Sequence, residues 1–170
     1  RPEDITDIFI SHSHFDHIGG LTLFTKAKIH INKSELDVVK LSKYYSINSN
    51  FFKIATNQNR IISYSRETEI YKNIMVIPTR GHTIGSQALE LLAPYHILIT
   101  GDECYYIREC RSGIGTFRGA LYSQANNKSF MERVLNSIKK SKIEVFTFHD
   151  KEIENYFFMD PERETGLFKK

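Results

Sequence analysis

His12-Ser13-His14-Phe15-Asp16-His17 is the stretch of this sequence that most restricts its fold. Three imidazoles and a carboxylate within six residues suit a cation far better than an apolar core, where each would need its own polar partner. The apolar run Ile8-Phe9-Ile10 stands just before them and Gly19-Gly20 just after. Ile5 to Ser11 therefore reads as a buried strand that delivers its ligands at its C-terminal end. A chain built around such a loop must bring further ligands to the same place from distant segments.

The remaining pattern offers them. Strands are predicted over 27–31, 60–64, 69–71, 74–78, 87–92, 96–100 and 143–148. A short helix is predicted over Leu21 to Phe24, and a longer one from Ser34, as its cap, to about Lys43. Phe130, Val134 and Ile138 recur every four residues and mark a helix over Asn127 to Lys140, with Asn127 as its cap. The segment 44–59 shows no clear period, and 103–124, with Gly113, Gly115 and Gly119, reads as loop. Strands alternate with helices, so the class is α/β. His82, Asp102 and His149 each follow a predicted strand, as the first cluster does. Loops at strand ends gather reactive groups on a rigid scaffold.

Seven ligands (His12, His14, Asp16, His17, His82, Asp102 and His149) exceed what one tetrahedral ion takes. They suit two ions roughly 3.5–4 Å apart that share a carboxylate. Zinc is the default for such imidazole and carboxylate sets, and other divalent transition metals are compatible.

Composition narrows the remaining classes. With 170 residues, 41% hydrophobic and 25% charged, residues 1–170 make one domain of ordinary soluble balance. A net charge of +3, mixed along the chain, argues against a nucleic-acid partner. No apolar run reaches membrane-span length, so no membrane partner is expected. Cys104 and Cys110 read as free, inert thiols in a reducing compartment, which places the protein in the cytoplasm.

The segments HSHFDHIGG (12–20), RGHTIGS (80–86), ITGDECYY (99–106) and TFHDKE (147–152) resemble the successive metal motifs of the metallo-β-lactamase superfamily. Within it they look most like those of the N-acyl-homoserine lactonases. Phe15 inside the first motif, Asp150 after His149, and Tyr105 three residues after Asp102 carry that likeness. The resemblance implies a metallo-β-lactamase-like αββα sandwich. Because about eleven residues precede His12, it also implies an N-terminally incomplete one, the C-terminal two-thirds of the usual fold. It implies one metal on His12, His14 and His82, a second on Asp16, His17 and His149, and Asp102 as the bridge.

The implied activity is dinuclear hydrolysis of the lactone ring of N-acyl homoserine lactones, a quorum-quenching reaction in which a metal-bridging hydroxide attacks the ester. Tyr105 would hydrogen-bond the carbonyl oxygen, Asp16 would pass a proton to the leaving alkoxide, and Phe15 would form part of the substrate wall. A glyoxalase-II-like thioesterase and a truncated, inactive metal-binding remnant are the alternatives. A second copy of the chain, in a homodimer, could cover the face left by the absent strands.

This sequence departs from the usual Pro-Gly-His-Thr-Pro-Gly, with Arg80 and Ile84 in place of the prolines. Other residues have plainer readings. Tyr105 has packing under the metal loop as its plainer alternative, behind the substrate-contacting role. His30 and His96 read as strand residues, and Arg108, Arg111 and Arg118 as a solvated loop. Tyr44, Tyr45, Phe51 and Phe52 read as packing more readily than as an acyl pocket.

Overall fold

A computed structural model describes residues 1–41, 46–140 and 143–150. Tyr44, Tyr45 and the tail from residue 151, with Phe157-Phe158, lie outside the described residues.

Two sheets form. The first holds β1 (Asp7–Phe9), β2 (Lys28–Asn32) and β3 (Ile61–Tyr64), in that order and all parallel. Parallel neighbours need long crossovers, and helices provide them. The β1–β2 crossover holds α1 (Phe15–Ile18) and a 3-10 turn at Leu21–Leu23, while α2 (Lys33–Leu41) and α3 (Ser46–Asn57) link β2 to β3. The expected Ser34 cap is displaced: Asn32 Oδ1 accepts the Ser34 N–H at 2.9 Å, and α2 begins at Lys33, two residues before the start that a Ser34 cap implies. The segment without a clear period, 44–59, contains α3, whose Phe52 and Ala55 are fully buried.

The second sheet runs β4 (Thr68–Tyr71), β5 (Ile74–Pro78), β6 (Gln87–Leu91), β7 (Ile97–Ile99) and β8 (Glu144–Phe146). β4 to β7 form an antiparallel meander. β8 returns parallel to β7 through α4 (Ile107–Arg111) and α5 (Gln124–Lys140). The reading of 103–124 as loop is thereby corrected, because α4 and a 3-10 turn at Arg118–Ala120 interrupt it. Asn127 does not cap α5 either. The helix starts earlier, Ser123 Oγ accepts the Asn126 N–H at 3.3 Å, and Asn127 is buried within the helix.

Each sheet has its own helical cover and its own core. Ile29 and Ile31 of β2 pack with Leu36 and Val39 of α2 and with Phe52 of α3. Ile77, Ala88, Leu98 and Val145 of the second sheet pack with Phe130, Met131 and Val134 of α5. The layers are therefore those of an αββα sandwich. The sheets are joined at Gln87, whose N–H donates to Ser11 O and whose Nε2 donates to Ile10 O, both at 2.9 Å.

Direction explains why ligands from distant segments converge. β5 is antiparallel to β6, β6 is antiparallel to β7, and β7 is parallel to β8. β5, β7 and β8 thus point the same way, and the segments that follow them leave one rim of the sheet. Those segments carry His82, Asp102 and His149.

Candidate metal centre

A five-residue loop after β1 and one turn of helix carry the first four groups. His12 is fully buried at the end of β1, and its Nδ1 lies 3.2 Å from Ser11 Oγ, which fixes the ring. His14 N-caps α1, placing Asp16 and His17 on that short helix. Gly101, at φ +58, turns the chain from β7 to Asp102, and a Cβ there would press on Ser11 Cβ.

The rings face one another at their nitrogens. His12 Nε2 is 3.0 Å from His14 Nδ1, and His82 Nε2 is 3.1 Å from the same atom. Asp102 Oδ2 is 3.8 Å from His12 Nε2 and 3.5 Å from His82 Nε2. Ligand atoms about 2.0–2.1 Å from a tetrahedral ion stand about 3.3 Å from each other, so these four atoms have the spacing of a coordination shell. Asp16, His17 and His149 form a second group whose ligand atoms all lie within 4.8 Å of one another. Asp102 touches both groups: its Oδ1 is 3.3 Å from His17 Nε2 and its Oδ2 is 3.1 Å from His149 Nε2.

Charge and hydrogen bonding fit a cation. Burial, reinforced by the neighbouring imidazoles, pushes the His12 pKa down to about 2, so its ring is neutral and a nitrogen lone pair is available. Burial also lowers His82. For Asp102 burial acts upward, but the imidazoles of His17, His12 and His149 around it outweigh that and hold the carboxyl at about 2. His17 Nε2 and Asp102 Oδ1 are both buried without a hydrogen-bond partner. Buried polar atoms are seldom left so, and a metal ion would satisfy both.

The centre opens into a cleft of ≈ 860 Å³. Tyr105 lines it, with its ring centroid 4.8 Å from that of His149 and 6.2 Å from that of His82. Burial, with the charges of Asp102 and Asp16, raises the Tyr105 phenol against a weaker opposing pull from Thr116, so it stays a hydrogen-bond donor at neutral pH. Ile84, Leu121 and Tyr122 supply apolar lining. Phe15 is 76% exposed, beside the ligand groups rather than in the cleft lining. Phe148 packs edge-on against His17 at 5.2 Å.

Several supporting roles escaped the reading of the sequence. Glu103 is fully buried, and its Oε1 accepts from the backbone N–H of Gly81 and His82 and from the hydroxyls of Thr79 and Ser86. Asn127 donates to Glu103 Oε2 at 2.7 Å. Asp150 Oδ2 accepts the Ile107 N–H at 2.6 Å and ties the His149 segment to α4. Their one legible signal was position, since Glu103 and Asp150 each directly follow a ligand. Arg80 has φ +55, which a proline ring forbids, so the loop before His82 takes a path closed to the Pro-Gly-His pattern.

Cys104 and Cys110 are bonded to each other, not free as expected. The turn at Gly101–Glu103 and helix α4 bring their Cα atoms to 5.6 Å. The cysteine argument for a reducing compartment therefore falls. His30 and His96 lie outside the centre, paired with Asp7 and Glu90.

The sequence profile of the metallo-beta-lactamase superfamily matches residues 1–109. The chain belongs to that superfamily. An N-acyl homoserine lactonase of Bacillus sp. is 29% identical over 164 residues, covering 95% of this chain and 62% of its own. The Bacillus cereus enzyme of the same name matches at the same identity and coverage. The chain thus spans less than two thirds of the length of these relatives. A solved N-acyl homoserine lactone hydrolase with N-hexanoyl-L-homoserine at its metal centre has a TM-score of 0.70 at 25% identity, over 91% of this chain and 60% of that one. A probable metal-dependent hydrolase from Staphylococcus aureus shares the fold, with a TM-score of 0.72 at 19% identity, over 88% of this chain and 56% of its own. Superfamily membership accounts for the metal-type cluster and the αββα layers. None of these matches supports the expected homodimer. Among the described residues no helix is long and apolar enough to cross a membrane.

Proposed function

We propose that this chain is a dinuclear metal-dependent hydrolase that opens the lactone ring of N-acyl homoserine lactones. The observation that carries the reading is the placement of Asp102, whose two oxygens lie among two ligand groups at the floor of an open cleft. The lactonase relatives support the choice of substrate.

His12, His14 and His82 would hold one ion, Asp16, His17 and His149 the other, with Asp102 shared and zinc as the metal. Ions bound there would acidify a water molecule and polarise the substrate carbonyl. The protein's own groups do the rest. The Tyr105 hydroxyl, in the cleft wall, donates a hydrogen bond to the carbonyl oxygen as it gains charge. Asp16 also lines the cleft and is 39% exposed at its side chain, so it can carry a proton to the leaving alcohol oxygen. Ile84, Leu121 and Tyr122 offer apolar surface to an acyl chain, and Phe15, exposed beside the ligand groups, would add to it. The products balance as one lactone and one water giving one hydroxy acid.

The test is proton release from an N-acyl homoserine lactone by the zinc-loaded chain, beside a chelator-stripped control. Metal-dependent ring opening supports the proposal. Two ions per chain with no lactone turnover, but with thioester hydrolysis, would replace it with the glyoxalase-II-like activity. A chain that binds no metal would rule out the centre as drawn.

A further inference from the structure

Glu35 lies on α2, is 2% exposed, and belongs to neither ligand group. Both of its oxygens are nevertheless saturated by donors from the two loops that carry His12, His14 and His82. Oε1 accepts the Ser13 N–H at 2.7 Å and the Ser13 hydroxyl at 2.5 Å. Oε2 accepts the Thr83 hydroxyl at 2.7 Å and the Gly85 N–H at 3.1 Å. Ser13 sits between His12 and His14, and Thr83 directly follows His82.

We propose that Glu35 is a positioning residue that sets the distance between the His12–His14 loop and the His82 loop, and so the shape of the metal site they share. The inference rests on the metal centre proposed above. A buried carboxylate loses its hydration and is a poor choice for packing alone, where a leucine would serve better. What it offers is four directional hydrogen bonds, stronger than neutral ones, from donors 22 to 50 residues away in sequence. Gly85 permits the close approach, since a Cβ there would collide with the Glu35 backbone. The loop lacks the prolines that would stiffen it by ring geometry, and here hydrogen bonds fix it instead. Glu35 grips it from α2, and Glu103 grips it from the other side through Gly81 and His82.

Groups that orient metal ligands without touching the metal typically change metal affinity 10- to 100-fold when replaced. The experiment is cobalt(II) titration of the wild-type chain, E35Q, E35D and T83V, read by affinity and by the visible ligand-field spectrum, with circular dichroism to confirm folding. In E35Q an amide nitrogen meets donors, and cobalt affinity should fall at least about 10-fold with a shifted spectrum. E35D keeps the charge and should recover part of both. T83V, which removes one donor at a half-buried position, should fall between, and it decides the question if E35Q does not fold. A residue needed only for folding would lower the unfolding temperature and leave the cobalt spectrum of the folded protein unchanged. Wild-type affinity and spectrum in folded E35Q or T83V would overturn the inference. Absence of cobalt binding in the wild type would overturn the metal-centre reading itself, and this inference with it.

Discussion

Glu103 Oε1 accepts the backbone N–H of His82 at 3.0 Å, so the residue next to Asp102 also fixes the main chain of a candidate ligand on another loop. The same oxygen takes the hydroxyls of Thr79 and Ser86 at 2.6 Å each. Glu103→Gln would turn an amide group toward several donors in a buried site. We expect a loss of about 3 kcal/mol in stability, read from the urea midpoint of the metal-free chain. An unchanged midpoint would show that the loop holds its shape without this carboxylate.

Acid should release one of the contacts between the two sheets. Asp7 of β1 accepts from His30 Nε2 at 2.8 Å and from the Tyr71 hydroxyl of β4 at 2.7 Å. Burial acts upward on Asp7, but hydrogen bonds from Tyr71, His30 and Thr6 outweigh it and hold the pKa at about 2, below the ordinary 3.8. A depressed carboxylate stabilises the fold fully above its unfolded pKa and loses that contribution as pH falls through the folded one. The window is therefore pH 3.8 down to about 2. Discounted for partial exposure, the contribution is on the order of 1–2 kcal/mol. Urea midpoints of wild type and Asp7→Asn should differ by that amount at pH 6 and converge near pH 2. A gap that persists at pH 2 would contradict it.

Gly85→Ala should destabilise through sterics alone. A methyl at this position meets the backbone N, Cα and Cβ of Glu35, none of which can rotate away. Moving the start of α2 should cost about 2 kcal/mol, or roughly 5 °C in Tm. A thermal melt within 1 °C or so of wild type would mean that α2 slides freely.

Tyr105→Phe should separate chemistry from metal binding. The hydroxyl lies in the cleft wall, and no ligand group depends on it. Turnover of a lactone should drop about 100-fold while metal content by mass spectrometry stays at the wild-type level. Undiminished turnover would leave Tyr105 as a packing residue against His149.

The sequence alone determined the elements with strong local signals and picked out the candidate ligand groups. The strand at 74–78 is legible as a short apolar run bounded by turn residues, and the helix around Phe130, Val134 and Ile138 because its apolar face repeats about every four residues. His12, His14, Asp16 and His17 are legible because they are neighbours in sequence. Helix α3 was not, since Asn48, Ser49 and Asn50 weaken its local helical preference and burial of Phe52 and Ala55 decides its state. Tertiary structure alone decided what holds the ligands still. Glu35 reaches Ser13 and Gly85 across 22 and 50 residues, Asn127 reaches Glu103 across 24, and the cysteines meet only because α4 folds back. A buried carboxylate carries no mark of its partners in sequence, because its hydrogen bonds depend on where separate strands and helices come to rest.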